Sequence, residues 1–388
     1  MSGYDFDSIV ERKNTASLKW DWMRNIYGRE DLLPMWVADT DFLSPPEIIE
    51  ALQKRTEHGV FGYGIPPKTM FSAVTNWVEK RYGWKIKESW LIESPGVVTA
   101  LAFAIQGLTE EGDKVLIQTP VYPPFYTMIK NNNREIVKNP LKYINGRYEI
   151  DFADFEEKLK SGVKLFILCS PHNPVGRVWT EDELEKMGEL CKKYNVFVVS
   201  DEIHADIIFR PNVHTPLASL AGLEEMTVTC IAPSKTFNIP GLQASVMIIP
   251  NAEIRKKITA AQGKIGYSGN NILGRTAMEA AYTHGKQWLE QLIEYLKGNR
   301  DRVIGFISRE LPDLHVVPSE GTYLLWIDCR KLGLSDIELK KRLVEKGKLA
   351  LEPGTKYGEE GTGFVRMNIG CPRKLLEEGL IRLKNALV

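Results

Sequence analysis

Lys164-Leu165-Phe166-Ile167-Leu168-Cys169 runs into Ser170-Pro171-His172-Asn173-Pro174-Val175-Gly176, then Thr180-Glu181-Asp182-Glu183, and then Val196-Phe197-Val198-Val199-Ser200 ahead of Asp201. The first and last pieces are short continuous apolar runs, the length of strands buried on both faces. Between them, Thr180 and Glu183 have the spacing of a capping box and predict a helix that runs to about Tyr194. Strand, loop, helix and strand in this order make a crossover unit, and a crossover joins parallel neighbours.

The same alternation extends in both directions. Strand signals lie at 90–93, 114–118, 227–231 and 245–249, and Ser94-Pro95-Gly96 before Val97-Val98-Thr99-Ala100 reads as a turn that opens a helix. Apolar, β-branched runs separated by helices predict an α/β protein with a mostly parallel sheet covered on both faces. From about Gly285 the pattern changes to a long helix over 286–311 and strands near 323–328 and 363–368, a second α+β unit. No proline- or serine-rich linker separates the two parts, so the long helix is expected to bridge them.

Composition excludes several classes. With 388 residues the chain exceeds the ~250 to 300 at which single cores stop growing, which implies roughly two domains. Lysine plus arginine and aspartate plus glutamate are 50 each, so no overall field favours nucleic acid or an anionic membrane. The first residues lack the order of a secretory signal and no run approaches a membrane span, which predicts a cytoplasmic protein. Five scattered cysteines without Cys-x-x-Cys spacing suit reduced thiols and no metal site. No dinucleotide fingerprint, Walker loop or His-Glu-x-x-His is present. Gly266-Tyr267-Ser268-Gly269 lacks the final glycine of a nucleophile elbow.

Ligands of open α/β sheets collect beyond the carboxyl ends of the strands. Asn173 follows one apolar run, Asp201 the next, and Lys235, in Ala232-Pro233-Ser234-Lys235-Thr236, a third. If these strands are parallel, an amide, a carboxylate and an amine meet at one edge. A lysine condenses with an aldehyde, an aspartate holds a pyridine nitrogen protonated, and an asparagine amide binds a phenolate oxygen. The free amides at Val97 and Val98 offer a phosphate seat. Tyr122 supplies a ring just after the 114–118 strand. Singly these residues read as a surface lysine, strand-end turns and an ordinary helix start; their joint order carries the argument.

Asn173-Pro174-x-Gly176, Asp201-Glu202-Ile203-His204, Ser234-Lys235-Thr236-Phe237-Asn238-Ile239-Pro240-Gly241-Leu242 and Arg366-Met367-Asn368-Ile369-Gly370 together resemble, over nearly the whole chain, the class I/II aminotransferase superfamily of fold-type-I pyridoxal-phosphate (PLP) enzymes. Within it, Leu33-Pro34-Met35-Trp36-Val37-Ala38-Asp39-Thr40-Asp41-Phe42, Phe61-Gly62-Tyr63-Gly64 and Asp201-Glu202-Ile203-His204 are similar to the cystathionine β-lyase (C-S lyase) branch. The resemblance implies a large PLP-binding domain over 45–285 with a mostly parallel seven-stranded sheet. A smaller α+β domain is formed by 1–44 and 286–388. It also implies that Lys235 holds PLP as a Schiff base, Asp201 pairs with the ring nitrogen, and Asn173 and His204 approach the phenolate oxygen. Tyr122 would stack on the ring, while Val97, Val98 and Ser234 hold the phosphate. Tyr63 would reach the phosphate of the neighbouring subunit of a homodimer, and Arg366 with the Ala38 amide would grip the substrate α-carboxylate.

Two positions depart from the superfamily pattern. Gln243 stands where many members have an arginine, and Ala232 where a phosphate-binding serine often lies, so the expected seat is less cationic. Gly266-Tyr267-Ser268-Gly269-Asn270-Asn271 also differs from the lyase branch. The activity implied is β-elimination from cystathionine or cysteine S-conjugates to a thiol, pyruvate and ammonia. An aminotransferase shares the steps through α-proton removal, and a PLP-binding regulatory protein would keep the pocket without turnover.

Overall fold

The computed structural model describes residues 3–388. Seven strands form the main sheet: β1 (Leu91–Ser94), β2 (Lys114–Thr119), β3 (Glu135–Pro140), β4 (Val163–Cys169), β5 (Phe197–Asp201), β6 (Thr227–Ile231) and β7 (Ser245–Ile248). Their spatial order is β1-β7-β6-β5-β4-β2-β3. All pairs from β6 to β3 are parallel, whereas β7 lies antiparallel to both β6 and β1. The expected mostly parallel sheet is therefore present with one reversed strand. That reversal brings the chain just before Ser245 to the edge where β1, β4, β5 and β6 end.

Alternation explains why the sheet is buried on both sides. Val115, Ile117, Leu165, Ile167 and Val199 pack on one face against the helix Val97–Leu108, while Leu116, Phe166, Leu168 and Val198 pack on the other with Leu184 and Met187 of the helix Glu181–Lys193. Strands whose successive side chains point to opposite faces are apolar throughout only when both faces are covered. The capping box is formed: the Thr180 side chain accepts from the Glu183 amide and the Glu183 carboxylate accepts from the Thr180 amide.

A second, four-stranded antiparallel sheet comprises β8 (His315–Val316), β9 (Leu324–Asp328), β10 (Glu352–Pro353) and β11 (Phe364–Asn368), in the order β8-β9-β11-β10. The helix Lys286–Glu310 precedes it. Its buried residues Trp288, Leu289, Leu292, Leu296, Asn299, Val303 and Ile307 recur at helical spacing and face a core shared with the other layers. Near the amino terminus, Leu33–Pro34 pairs in parallel with Leu349–Ala350 and carries the following residues, 35–42, across the gap between the sheets.

One buried ionic cluster ties the loop after β4 to the chain entering β9. Arg177, 1% exposed, donates to the Glu183 carboxylate at 2.7 and 2.9 Å and to Glu320 at 3.1 Å. Glu320 also accepts from the Val178 amide at 2.8 Å and from Arg147 at 2.6 Å. Removing one partner of a buried pair leaves a charge unsatisfied. Glu320→Ala is expected to cost about 3 kcal/mol in urea unfolding, at the lower end of broken buried pairs because Glu183 still holds Arg177. An unchanged midpoint would show that the cluster contributes nothing to stability.

Candidate active site

Parallel alignment brings the carboxyl ends of β1, β4, β5 and β6 together around a cavity of about 390 Å³. Val97, Val98, Tyr122, Asn173, Asp201, His204, Ser234, Lys235 and Ala38, all named from the sequence, lie on its wall. Arg366 sits behind Asn173 and is linked to it. Tyr63 is elsewhere: its side chain is fully exposed, on a projecting segment with Phe61 and Ile65 also exposed.

Asp201 closes β5 in register with Cys169 on one side and Cys230 on the other. Between these apolar neighbours its carboxylate accepts, among the described residues, only the Ile203 amide, at 3.2 Å. Burial is the main effect on its proton affinity and pushes its pKa up to about 7, opposed by that hydrogen bond and by Lys235. Glu202, the next residue, faces the opposite way and meets His214 at 2.9 Å, Ser200 at 2.8 Å and the Leu217 amide at 3.2 Å.

Lys235 lies on the short helix Pro233–Thr236 that follows β6. Its Nζ donates to the Ala38 carbonyl at 2.6 Å. Burial lowers its pKa to about 8, with Asp39 opposing and Arg366 assisting. The amine thus approaches neutrality near physiological pH, where a nucleophile and proton acceptor is useful. His204 is buried and its pKa falls to about 3, again chiefly by burial, with help from Lys235 and Arg366. Its buried Nδ1 has no partner among the described residues, unlike a core histidine satisfied by backbone.

Asn173 is held from two sides. Its amide donates to the Cys169 sulfur at 3.4 Å, and its side-chain oxygen accepts from Arg366 Nη1 at 3.1 Å. Arg366 Nη2 donates to the Trp36 carbonyl at 2.8 Å, the Tyr357 ring lies 5.1 Å from the guanidinium, and Nε is buried without a partner. A forked cation with N–H groups left over after these two bonds suits a carboxylate.

At the other end, Gly96 precedes the helix Val97–Leu108 and a side chain there would meet no protein atom within 4 Å, so the backbone borders open cavity. The first-turn amides of that helix and Ser234 line this end. Gln243 and Ala244 complete it because β7 is reversed. Among the described residues, Lys235 is the only lysine or arginine on the wall. Gln243, where many members of the superfamily have an arginine, stands on this wall. The segment 266–271 stays off the wall: Tyr267 donates to Asn270 at 2.6 Å, and Asn271 caps the helix Ile272–His284. A planar pyridine aldehyde bearing a phosphate fits: an amine for the aldehyde, a buried acid for the ring nitrogen, an unpartnered imidazole and an amide-lined end for the anion.

Three residues that hold this arrangement were not singled out from the sequence. Tyr323 donates to the Ala38 carbonyl at 3.0 Å, Asn368 donates to the Val37 and Asp39 carbonyls at 2.5 and 2.6 Å, and Asn238 bonds Thr40 and Phe42. Asn238 and Asn368 lie inside motifs already quoted, which was the available signal.

The fold and the cavity together define a lysine-based enzyme of the fold-type-I class. The model of the family "Aminotransferase class I and II" matches residues 31–383, and the chain belongs to that family. It is 49% identical to cystathionine beta-lyase PatB of Bacillus subtilis, over 99% of this chain and 100% of that protein. Cystalysin from Treponema denticola, whose structure contains a pyridoxal 5'-phosphate cofactor, superposes with a TM-score of 0.96 at 38% identity, covering 99% of this chain and 98% of that one. The PLP-bound C-S lyase from Staphylococcus hominis gives 0.93 at 33%, covering 100% and 99%.

The buried carboxylate makes a pH-dependent cost visible without the cofactor. Because the folded pKa of Asp201 is raised, the folded state keeps a proton that the unfolded state has released, and stability falls as pH rises from about 4 through about 7. In cofactor-free protein, Asp201→Asn should therefore gain on the parent between pH 5 and pH 8 by on the order of 2 to 3 kcal/mol in urea unfolding. A constant difference across that range would place the carboxylate in contact with water.

Proposed function

We propose that this protein is a PLP-dependent carbon-sulfur β-lyase of the cystathionine β-lyase type, converting cystathionine or cysteine S-conjugates to a thiol, pyruvate and ammonia. The observation that carries the reading is 49% identity to a cystathionine beta-lyase over essentially both full lengths, joined to a cavity that gathers Lys235, Asp201 and Asn173. The pyridine ring, when bound, supplies the electron sink for the carbanion that follows loss of the α-proton.

The roles proposed for the chain follow from the geometry. Lys235 would anchor the cofactor, and its amine, which burial brings toward neutrality, would take the α-proton of the substrate. Asp201 keeps the ring nitrogen protonated: a cation beside it relieves the burial of its charge, so each stabilises the other. Asn173 and neutral His204 would approach the phenolate oxygen, and Tyr122 would cover the ring. The amides of Val97 and Val98 with Ser234 hold the phosphate. Arg366 and the Ala38 amide would hold the substrate carboxylate.

Tyr63 is proposed to serve the neighbouring subunit of a homodimer. Its full exposure beside Phe61 and Ile65 supports this, since large apolar side chains grouped on a projecting segment mark contact surfaces. Division into 45–285 and 1–44 with 286–388, and residence in the cytoplasm, belong to the same reading. The five buried free cysteines are in keeping with a reducing compartment.

An aminotransferase would use the same residues and differ in the fate of the carbanion. With L-cystathionine and no keto acid, the protein is expected to release pyruvate, ammonia and thiol in equal amounts over many turnovers. Turnover that stops at one equivalent per site and resumes only when a keto acid is added would replace the lyase reading with transamination.

A further inference from the structure

Four consecutive carbonyls of the segment 36–39 are each gripped by a side chain. Trp36 accepts from Arg366, Val37 from Asn368, Ala38 from Tyr323 and Lys235, and Asp39 from Asn368. Arg366 and Asn368 are two residues apart on β11 and so project from one face of the strand. Asn368 and Tyr323 are both essentially fully buried. The Asn368 oxygen is fixed in turn by the Gly370 amide at 2.7 Å, which settles which end of its amide faces the carbonyls.

A trans peptide is planar, with its N–H pointing opposite to its C=O. Holding the Val37 oxygen therefore aims the Ala38 N–H the other way. That N–H has no partner among the described residues, while Ala38 borders the cavity. The next peptide is fixed by its own oxygen, which receives both the Tyr323 hydroxyl and the free amine of Lys235. Ala38 thus presents a donor on one side and an acceptor on the other, and the two are set by different residues.

We propose that Asn368 and Tyr323 are positioning residues that divide the work of this backbone strap. Asn368 aims the Ala38 amide at the substrate carboxylate, and Tyr323 holds the Ala38 carbonyl as the rest on which the Lys235 amine sits when it is free. The proposal rests on the carboxylate and lysine roles above but not on the fate of the carbanion. Asn368 then governs recognition of the carboxylate, and Tyr323 governs removal of the α-proton.

The test uses the PLP-loaded enzyme and two ligands of the same length, S-ethyl-L-cysteine and its decarboxylated counterpart 2-(ethylthio)ethylamine, titrated by the change in cofactor absorbance. Asn368→Ala and the milder Asn368→Ser should weaken the amino acid about tenfold, the worth of one hydrogen bond to a charged group, and leave the amine within about twofold. Tyr323→Phe, which keeps the ring, should leave both affinities within about twofold. It should lower kcat about tenfold and raise the kinetic isotope effect on kcat for α-deuterated substrate. Equal weakening of both ligands in the Asn368 variants would overturn the first assignment. An unchanged kcat, or a lowered one with the parent isotope effect, would overturn the second. Arg366→Ala is the control for the underlying reading: if it fails to discriminate between the two ligands, the carboxylate site itself is misplaced, whatever Asn368 does.

Discussion

Placing a carboxylate at the end of a strand between two buried cysteines is the constraint around which this protein is arranged. Water would solvate Asp201 far better than the cavity does, and its neighbours in the sheet offer nothing in exchange. The cost is tolerable because the sheet around it is buried on both faces and rigid. A flexible loop would simply rotate the group outward. The same dry surroundings press on Lys235 in the opposite sense, lowering the affinity of its amine for a proton. One environment thus prepares an acid and a base for complementary duties.

The parts of this design that were legible in the sequence are those written locally. Continuous apolar runs announced β2, β4, β5, β6 and β7, and Thr180 with Glu183 announced the helix between β4 and β5. β3 escaped notice because Glu135-Ile136-Val137-Lys138-Asn139-Pro140 mixes polarity, as an edge strand does, and ends on a residue that cannot donate to a ladder. The direction of β7 was equally unreadable: a short buried run has the same pattern whichever way it points. That direction matters, since it decides that Gln243 and Ala244 stand at the cavity.

In the site, Lys235, Asp201 and Asn173 were found because each follows an apolar run, and the order of strands then joined them. Tyr323 and Asn368 carried no such mark. Their partners are backbone carbonyls of residues 37–39, between 285 and 331 positions away, and a carbonyl leaves no signature in a sequence. Arg366 was recognisable through family resemblance, but its attachment to Trp36 was not. The resemblance supplied which residues matter; the fold supplies what restrains them.

The proposed clamp for the carboxylate is drawn from the two extremes of the polypeptide, with Ala38 near the beginning and Arg366 near the end, whereas the groups around Lys235 come from the middle. During synthesis the chain emerges amino end first. The lysine pocket is therefore outside the ribosome while β11 is still being made, and the carbonyls of Trp36, Val37 and Asp39 wait for Arg366 and Asn368 until the last strand arrives. On the proposed roles, a chain interrupted before residue 366 has Lys235 and Asp201 but lacks the arginine that chooses an amino acid over any other amine. Under that reading, selectivity is the last property this molecule acquires.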